Sequence, residues 1–321
     1  MGRAQRWLSF GSSSARLRRE FIADRKKPVL AEDLIFLDRP PLLFATMKLM
    51  MRHRIRGAWR LFETLKARGY FDRKVIRYEI GRGIPVHIPI FRPERRWDRF
   101  DLIHYELELI DTLVREAEAG DAPLTIIDCG ADLGLVSMLL TARLPRVSRV
   151  IAFEPSQDEV PLLRKNFAGL PIASEVIQAA VSEYAGRGEL RRPAYDSYNQ
   201  ARYVEPALGG AFEVRTLDSL ALSRQDLLIK IDVEGGELAV VRGARKTISE
   251  ASRVIVATEA HPLVAARTGI DPIYVLQELA AIRQFRFTVC ETGQSNPDLS
   301  KPFFEQLPEK FYNCNVVAVS I

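Results

Sequence analysis

The chain has 321 residues, 47% of them hydrophobic and 27% charged, a composition that excludes fibrous and disordered proteins and suggests about two domains, or one enzyme-sized domain with an extension. Its net charge of +5 is unevenly spread: residues 1–100 hold 24 Lys and Arg against 10 Asp and Glu, and residues 101–321 hold 22 against 31. The longest run free of those residue types is the 11 residues from Phe311 to Ile321, short of the ~18 that a membrane-spanning helix needs. Cys129, Cys290 and Cys314 are too few and too scattered for a disulfide framework or a zinc site, so a cytoplasmic protein is expected.

Residues 1–70 read as a basic extension. The first 19 carry Arg and Ser and no acid, which fits a basic tail or an organelle transit peptide. After Asp38-Arg39-Pro40-Pro41, the residues Phe44, Met47, Met51, Ile55, Ala58, Phe62 and Leu65 recur at spacings of 3 or 4, which predicts one amphipathic helix. Its other faces are basic, with Lys48, Arg52, Arg54, Arg56, Arg60, Lys66 and Arg68 against Glu63. Such a helix packs on its own core, pairs in a homodimer, or lies on an anionic polymer or the inner face of a membrane as a peripheral contact. Residues 71–104 form a second unit, a hairpin and linker: Val75 to Ile80 alternates, Gly81-Arg82-Gly83 turns, and Ile84 to Ile90 returns.

Residues 105–321 read as one α/β domain. A helix from Tyr105 through Val114 ends at Gly120-Asp121-Ala122-Pro123, and short apolar runs then alternate with helical patterns. Strands are predicted at 125–128, 150–153, 176–179, 227–231, 254–258, 285–290 and 316–320, and helices at 135–144, 158–168, 236–249 and 272–283. That alternation predicts a mostly parallel sheet with helices on both faces, with ligands bound at the carboxyl ends of the strands.

The chemistry concentrates in Ile126-Ile127-Asp128-Cys129-Gly130-Ala131-Asp132-Leu133-Gly134, an apolar strand running into an acid and a glycine-bearing turn. The pattern D-x-G-x-x-x-G lacks the G-x-G-x-x-G of a dinucleotide fold, which argues against an NAD oxidoreductase. Asp128 suits a cationic amino-acid group, with Gly130, Ala131 and Gly134 allowing close approach. Twenty residues past Gly134, a second strand ends in Glu154-Pro155, a carboxylate placed to accept both hydroxyls of a ribose, and Gln178-Ala179-Ala180 would flank an adenine. Together these point to an adenosine ligand without phosphate, S-adenosylmethionine (SAM).

With those segments, Ala179-Ala180-Val181-Ser182, Thr216-Leu217-Asp218-Ser219-Leu220, Leu228-Ile229-Lys230-Ile231-Asp232-Val233-Glu234-Gly235 and Thr258-Glu259-Ala260-His261, the chain resembles the FkbM family of SAM-dependent methyltransferases from about Tyr105 to its end. The resemblance implies a Rossmann-like class I methyltransferase fold, a seven-stranded sheet whose last strand is antiparallel, and methyl transfer to an oxygen. It implies a saccharide, polysaccharide, glycolipid or natural-product acceptor. Cys129 and Asp132 depart from the family's usual small aliphatic residue and Asn.

Asp232, at the end of the fourth strand, is the first candidate for a polar group at the reacting atoms, with Glu234 within the following turn. His261 is the candidate general base, with Glu259 two residues earlier to orient it. These four are the candidate catalytic residues; their spacing matches no metal signature, and a divalent metal is not expected. The loop Tyr195 to Asn199 suits stacking on a sugar. Two rivals remain: a nucleic-acid methyltransferase using the basic extension, with no readable RNA-binding module, and a membrane-associated, non-catalytic protein of the same fold.

Overall fold

The computed structural model describes residues 34–90, 99–191, 203–308 and 313–321. The first 19 residues and the Tyr195 to Asn199 loop lie outside them. The chain's core is a seven-stranded sheet. In spatial order it runs β13 (Phe285–Val289), β14 (Cys314–Ser320), β12 (Arg253–Ala260), β11 (Asp226–Ile231), β4 (Leu124–Cys129), β5 (Val147–Phe153), β6 (Ala173–Ile177). All neighbours are parallel except β14, which runs antiparallel to both β12 and β13.

The central strands are apolar on both faces because both are covered. Ile126, Val150, Leu228, Ile255 and Val317 share one core with helices α4 (Leu107–Glu118), α5 (Leu135–Arg143) and α6 (Val160–Phe167). The alternate residues Ile127, Ile151, Ile229, Val256 and Val316 share a second core with α7 (Glu237–Arg242), α8 (Arg245–Glu250) and α10 (Ile273–Ile282). Between β12 and α10 lies the short helix α9 (Pro262–Thr268).

Three expectations need correction. The apolar run at 176–179 is not one strand: β6 ends at Ile177, and β7 (Ala179–Val181) crosses into a separate four-stranded sheet. There it pairs with β10 (Phe212–Arg215), which continues to β8 (Gly186–Arg191) and β9 (Tyr203–Pro206), a sheet the sequence reading did not anticipate. The helix expected over 236–249 breaks at Gly243, where a β-carbon would collide with the carbonyl of Ser182; Asp218 then caps α8 by accepting from the N–H groups of Lys246 and Thr247. The amphipathic stretch at 44–65 is two helices, α1 (Leu42–Arg52) and α2 (Ala58–Ala67), because Arg54 and Gly57 take left-handed conformations with φ of 52° and 92°.

The hairpin expected after α2 is present as β2 (Lys74–Glu79) and β3 (Pro85–Pro89), with β1 (Ile35–Leu37) added in parallel to β2. Its alternation sends Val75, Val86 and Ile88 into the core beneath α4–α6, and Ile76 and Ile90 into a small core with Phe44, Met47, Phe62 and Phe71. The three-stranded sheet is therefore the layer between α1–α2 and the main body.

Candidate active site

Parallel register brings the strand tips level. Lys230 of β11 is opposite Asp128 of β4, Cys129 is opposite Phe153 of β5, and Ile231 is opposite Thr258 of β12. The residues that follow these positions, Gly130, Glu154, Asp232 and Glu259, therefore gather at one carboxyl edge.

Asp128 is 1% exposed and lies behind the turn rather than on its surface. Ser137 donates to its Oδ2 at 2.7 Å, and Lys230 Nζ stands 3.4 Å from its Oδ1. The same ammonium donates to the Gly130 carbonyl at 2.8 Å and lies 3.2 Å from Asp232 Oδ2. Burial pulls the Lys230 pKa down, but Asp232 and Asp128 outweigh it and leave the net shift well above the ordinary lysine value. Lys230 thus ties the glycine turn to the tip of β11, a role the sequence reading did not assign. The available signal was one charge inside the otherwise apolar run 227–231, since a buried lysine requires partners.

The turn is tight for a reason different from the one read in the sequence. Gly130 (φ 76°) carries no side chain because a β-carbon would collide with the Asp232 carbonyl, and one at Gly134 (φ 78°) would press on Phe167 and on Leu163 at 2.8 Å. Neighbouring protein, not only a ligand, demands both glycines. Ala131 is buried between them, and Asn166, a second unassigned residue, holds the turn by donating to the Leu133 carbonyl at 2.9 Å.

Glu154 is 8% exposed, and each of its oxygens accepts a backbone N–H, from Asp132 and from Ser156, both at 2.9 Å. Burial, then the neighbouring Asp132 carboxylate, pushes its pKa up to about 7. Pro155 follows Glu154 just past the end of β5, and Ala180 is the buried middle residue of β7.

Asp232, Glu234 and Glu259 form a cluster whose carboxylate oxygens lie within 4.8 Å of one another. Glu234 sits in a left-handed conformation (φ 57°) that turns the chain after β11, and its carbonyl accepts from Arg267. Burial, reinforced by Asp232 and Glu259, raises the Glu234 pKa to about 9; burial and Asp232 raise Glu259 to about 8, against a 3.0 Å hydrogen bond from Asn313. Three such carboxylates have the chemistry to hold a cation or to accept from hydroxyl groups.

His261 caps α9: its Nδ1 accepts from the Leu263 N–H at 3.1 Å. That bond assigns the proton of the neutral ring to Nε2, so Nε2 is a donor. Burial lowers the His261 pKa, with Asp232 opposing and Arg267 adding to that effect, which keeps the ring neutral near pH 7.

These side chains fit SAM. A carboxylate offers about four lone-pair sites, so Glu154 retains acceptor capacity for a diol after its two backbone bonds, and Asp132 and Asp232 supply negative charge for a cationic sulfonium and ammonium, beside which Glu234 and Glu259 are favoured to ionise. A parallel sheet with one antiparallel strand next to its edge, a glycine turn after β4 and a carboxylate after β5 define a class I SAM-dependent methyltransferase. Residues 128–315 match the Methyltransferase FkbM domain, and the chain belongs to that family.

Among solved structures, the chain is similar to a methyltransferase FkbM from Methylobacillus flagellatus KT, at 16% identity over 85% of this chain and 76% of that one, with a TM-score of 0.38. It is also similar to a precorrin-6y C5,15-methyltransferase from Geobacter metallireducens GS-15, at 11% identity over 67% and 89%, with a TM-score of 0.37. Both are remote, and the family assignment rests on the matched domain. No curated protein matches the chain.

Glu154→Ala removes the acceptor of two backbone N–H groups and the expected partner of the ribose. Calorimetric titration with S-adenosylhomocysteine is expected to show affinity lower by about 1.5–3 kcal/mol per charged hydrogen bond lost. Unchanged affinity would move the cofactor away from this edge.

Proposed function

We propose that the protein is an O-methyltransferase whose acceptor is a hydroxyl of a saccharide, glycolipid or related natural product. The observation that carries this reading is the convergence of Asp232, Glu234 and Glu259 at adjacent strand ends, beside the glycine turn. SAM supplies a methyl electrophile when bound. The chain's own residues must then orient a hydroxyl and remove its proton.

Carboxylates held above their ordinary range by burial are stronger bases, once ionised, than exposed ones, and a cation brought beside them favours ionisation. Glu259 and Glu234 are therefore the proposed proton acceptors. Asp232, fixed by Lys230, positions the hydroxyl. His261 orients it as a donor through Nε2, because Nδ1 is committed to the helix cap. The acidic edge that Asp132 and Asp232 form disfavours the nucleic-acid reading, since it repels a phosphodiester backbone.

His261→Asn separates base from donor. Asparagine retains a capping oxygen, so stability should change by only a few tenths of a kcal/mol, and methyl transfer should fall less than about tenfold, against the about 10²–10⁴-fold that loss of a general base costs. A drop in that larger range, together with loss of the rising limb of the pH profile, would restore imidazole as the base.

The acceptor class is tested by incubating the protein with methyl-labelled SAM and pools of neutral saccharides, glycolipids and RNA. Label in a base-stable ether on a hydroxyl supports the proposal. Label on nitrogen or carbon, or in RNA, overturns it.

A further inference from the structure

The structure leaves an apolar and basic surface on α1 and α2 that the methyltransferase reading does not use. Thirteen large hydrophobic residues are exposed among the described residues, and nine of them fall between Ile35 and Ile103. The inner stripe of α1 and α2, Phe44, Met47 and Phe62, is already satisfied by its own core. What remains outside is a second set, Leu42, Leu49, Ile55 and Trp59, at 86%, 53%, 49% and 55% exposure.

Leu42, Ala45, Leu49 and Arg52 follow one another at spacings of 3, 4 and 3, so they share the outer face of α1. Ala45, Leu49 and Arg52 of that face line an open cleft of about 680 Å³ with Phe100 and Ile103 of α3 (Arg99–Ile103). Arg52 lies over the Phe100 ring, 4.8 Å from its centre, and Lys48 pairs with Asp101 at the rim. At the α1–α2 corner the exposed run Arg52-His53-Arg54-Ile55-Arg56 places an isoleucine between arginines, one helical turn from Trp59 and Arg60.

From Arg39 to Phe62 the chain carries six Lys and Arg and no acidic residue. Exposed aliphatic groups and an indole beside the exposed cations Arg54, Arg56 and Arg60 match the boundary of an anionic bilayer, where apolar side chains enter the acyl region and cations meet headgroup phosphates. We propose that the α1–α2 corner docks the protein on an anionic membrane surface, with Ile55 and Trp59 inserted and Arg54, Arg56 and Arg60 on the headgroups. None of these residues belongs to the carboxylate cluster, and the test does not depend on methyl transfer.

The test uses the full chain with vesicles of phosphatidylcholine mixed with phosphatidylglycerol, against vesicles of phosphatidylcholine alone. Co-sedimentation with the anionic vesicles, weakened by salt, is expected. Arg54→Ala/Arg56→Ala should weaken partition about 30-fold. Ile55→Glu/Trp59→Glu should abolish it with thermal melting unchanged. With Trp7 and Trp97 replaced by Phe, Trp59 is the remaining indole, and acyl-chain bromines should quench it. Three results overturn the proposal: no binding to anionic vesicles, binding that survives Ile55→Glu/Trp59→Glu, or a lipid-free dimer that those substitutions dissociate, which would assign the surface to a second copy.

Discussion

Lys230→Met is expected to destabilise the protein by about 3–5 kcal/mol and to eliminate measurable S-adenosylhomocysteine binding. The size follows from what the ammonium leaves behind. Asp128 is 1% exposed, and without Lys230 its remaining hydrogen bond is the one from Ser137, so a buried carboxylate loses the cation that offsets its desolvation. The Gly130 carbonyl and Asp232 lose the same partner, and the turn is released from the tip of β11. Asp128→Asn/Lys230→Met removes the stranded charge along with its partner and should recover a large part of the stability without recovering binding. Urea unfolding of the two single variants and the double variant gives the coupling energy directly. A Lys230→Met protein within about 1 kcal/mol of the parent would show that the ammonium does not hold these groups together.

The split between what the sequence displayed and what it concealed has physical causes. The path from β4 through the turn to α5 was legible because an apolar strand, an acid and two glycines at fixed spacing leave few alternatives. Glu154 was legible for the same reason, as a carboxylate at the end of an apolar run. Periodicity alone does not report a helix break: the apolar spacing runs on through Ile55, while Arg54 and Gly57 turn the backbone away and leave that side chain exposed. A short apolar run also carries no mark of which sheet it joins, so the change of sheet between Ile177 and Ala179 was hidden. The four-stranded sheet escaped because β8 and β9 are short and largely polar, with little alternation to read.

In the site, residue type was visible and protonation geometry was not. His261 carries the residue type expected of a general base, but the pairing of Nδ1 with the Leu263 N–H makes the neutral ring a donor at Nε2. Lys230 lay in the most specific motif of the chain and received no role, because its partners come from β4, the glycine turn and the chain following β11.

Raising the pH from about 5 to about 9 is expected to destabilise the ligand-free protein, opposite to the usual behaviour of salt-bridged carboxylates. Glu154, Glu259 and Glu234 have folded-state pKa values pushed up to about 7, 8 and 9 by burial and by neighbouring carboxylates. Unfolded, each titrates near the ordinary glutamate value, so between that value and the raised one the folded chain binds more protons than the unfolded chain. Stability is then fully present below the unfolded value and falls as pH rises through the folded ones. For Glu154 alone the shift corresponds to about 3 kcal/mol; the other two share their protons within one cluster with Asp232, so their contributions are not independent. Thermal melting across this range should show a declining midpoint, and Glu234→Gln should flatten the upper part of the decline. S-adenosylhomocysteine should flatten the lower part, because ribose hydroxyls donating to Glu154 favour its ionised form. A midpoint that holds steady or rises with pH would mean that these carboxylates are already ionised in the folded protein, and that the proposed proton acceptors lack the basicity the reaction requires.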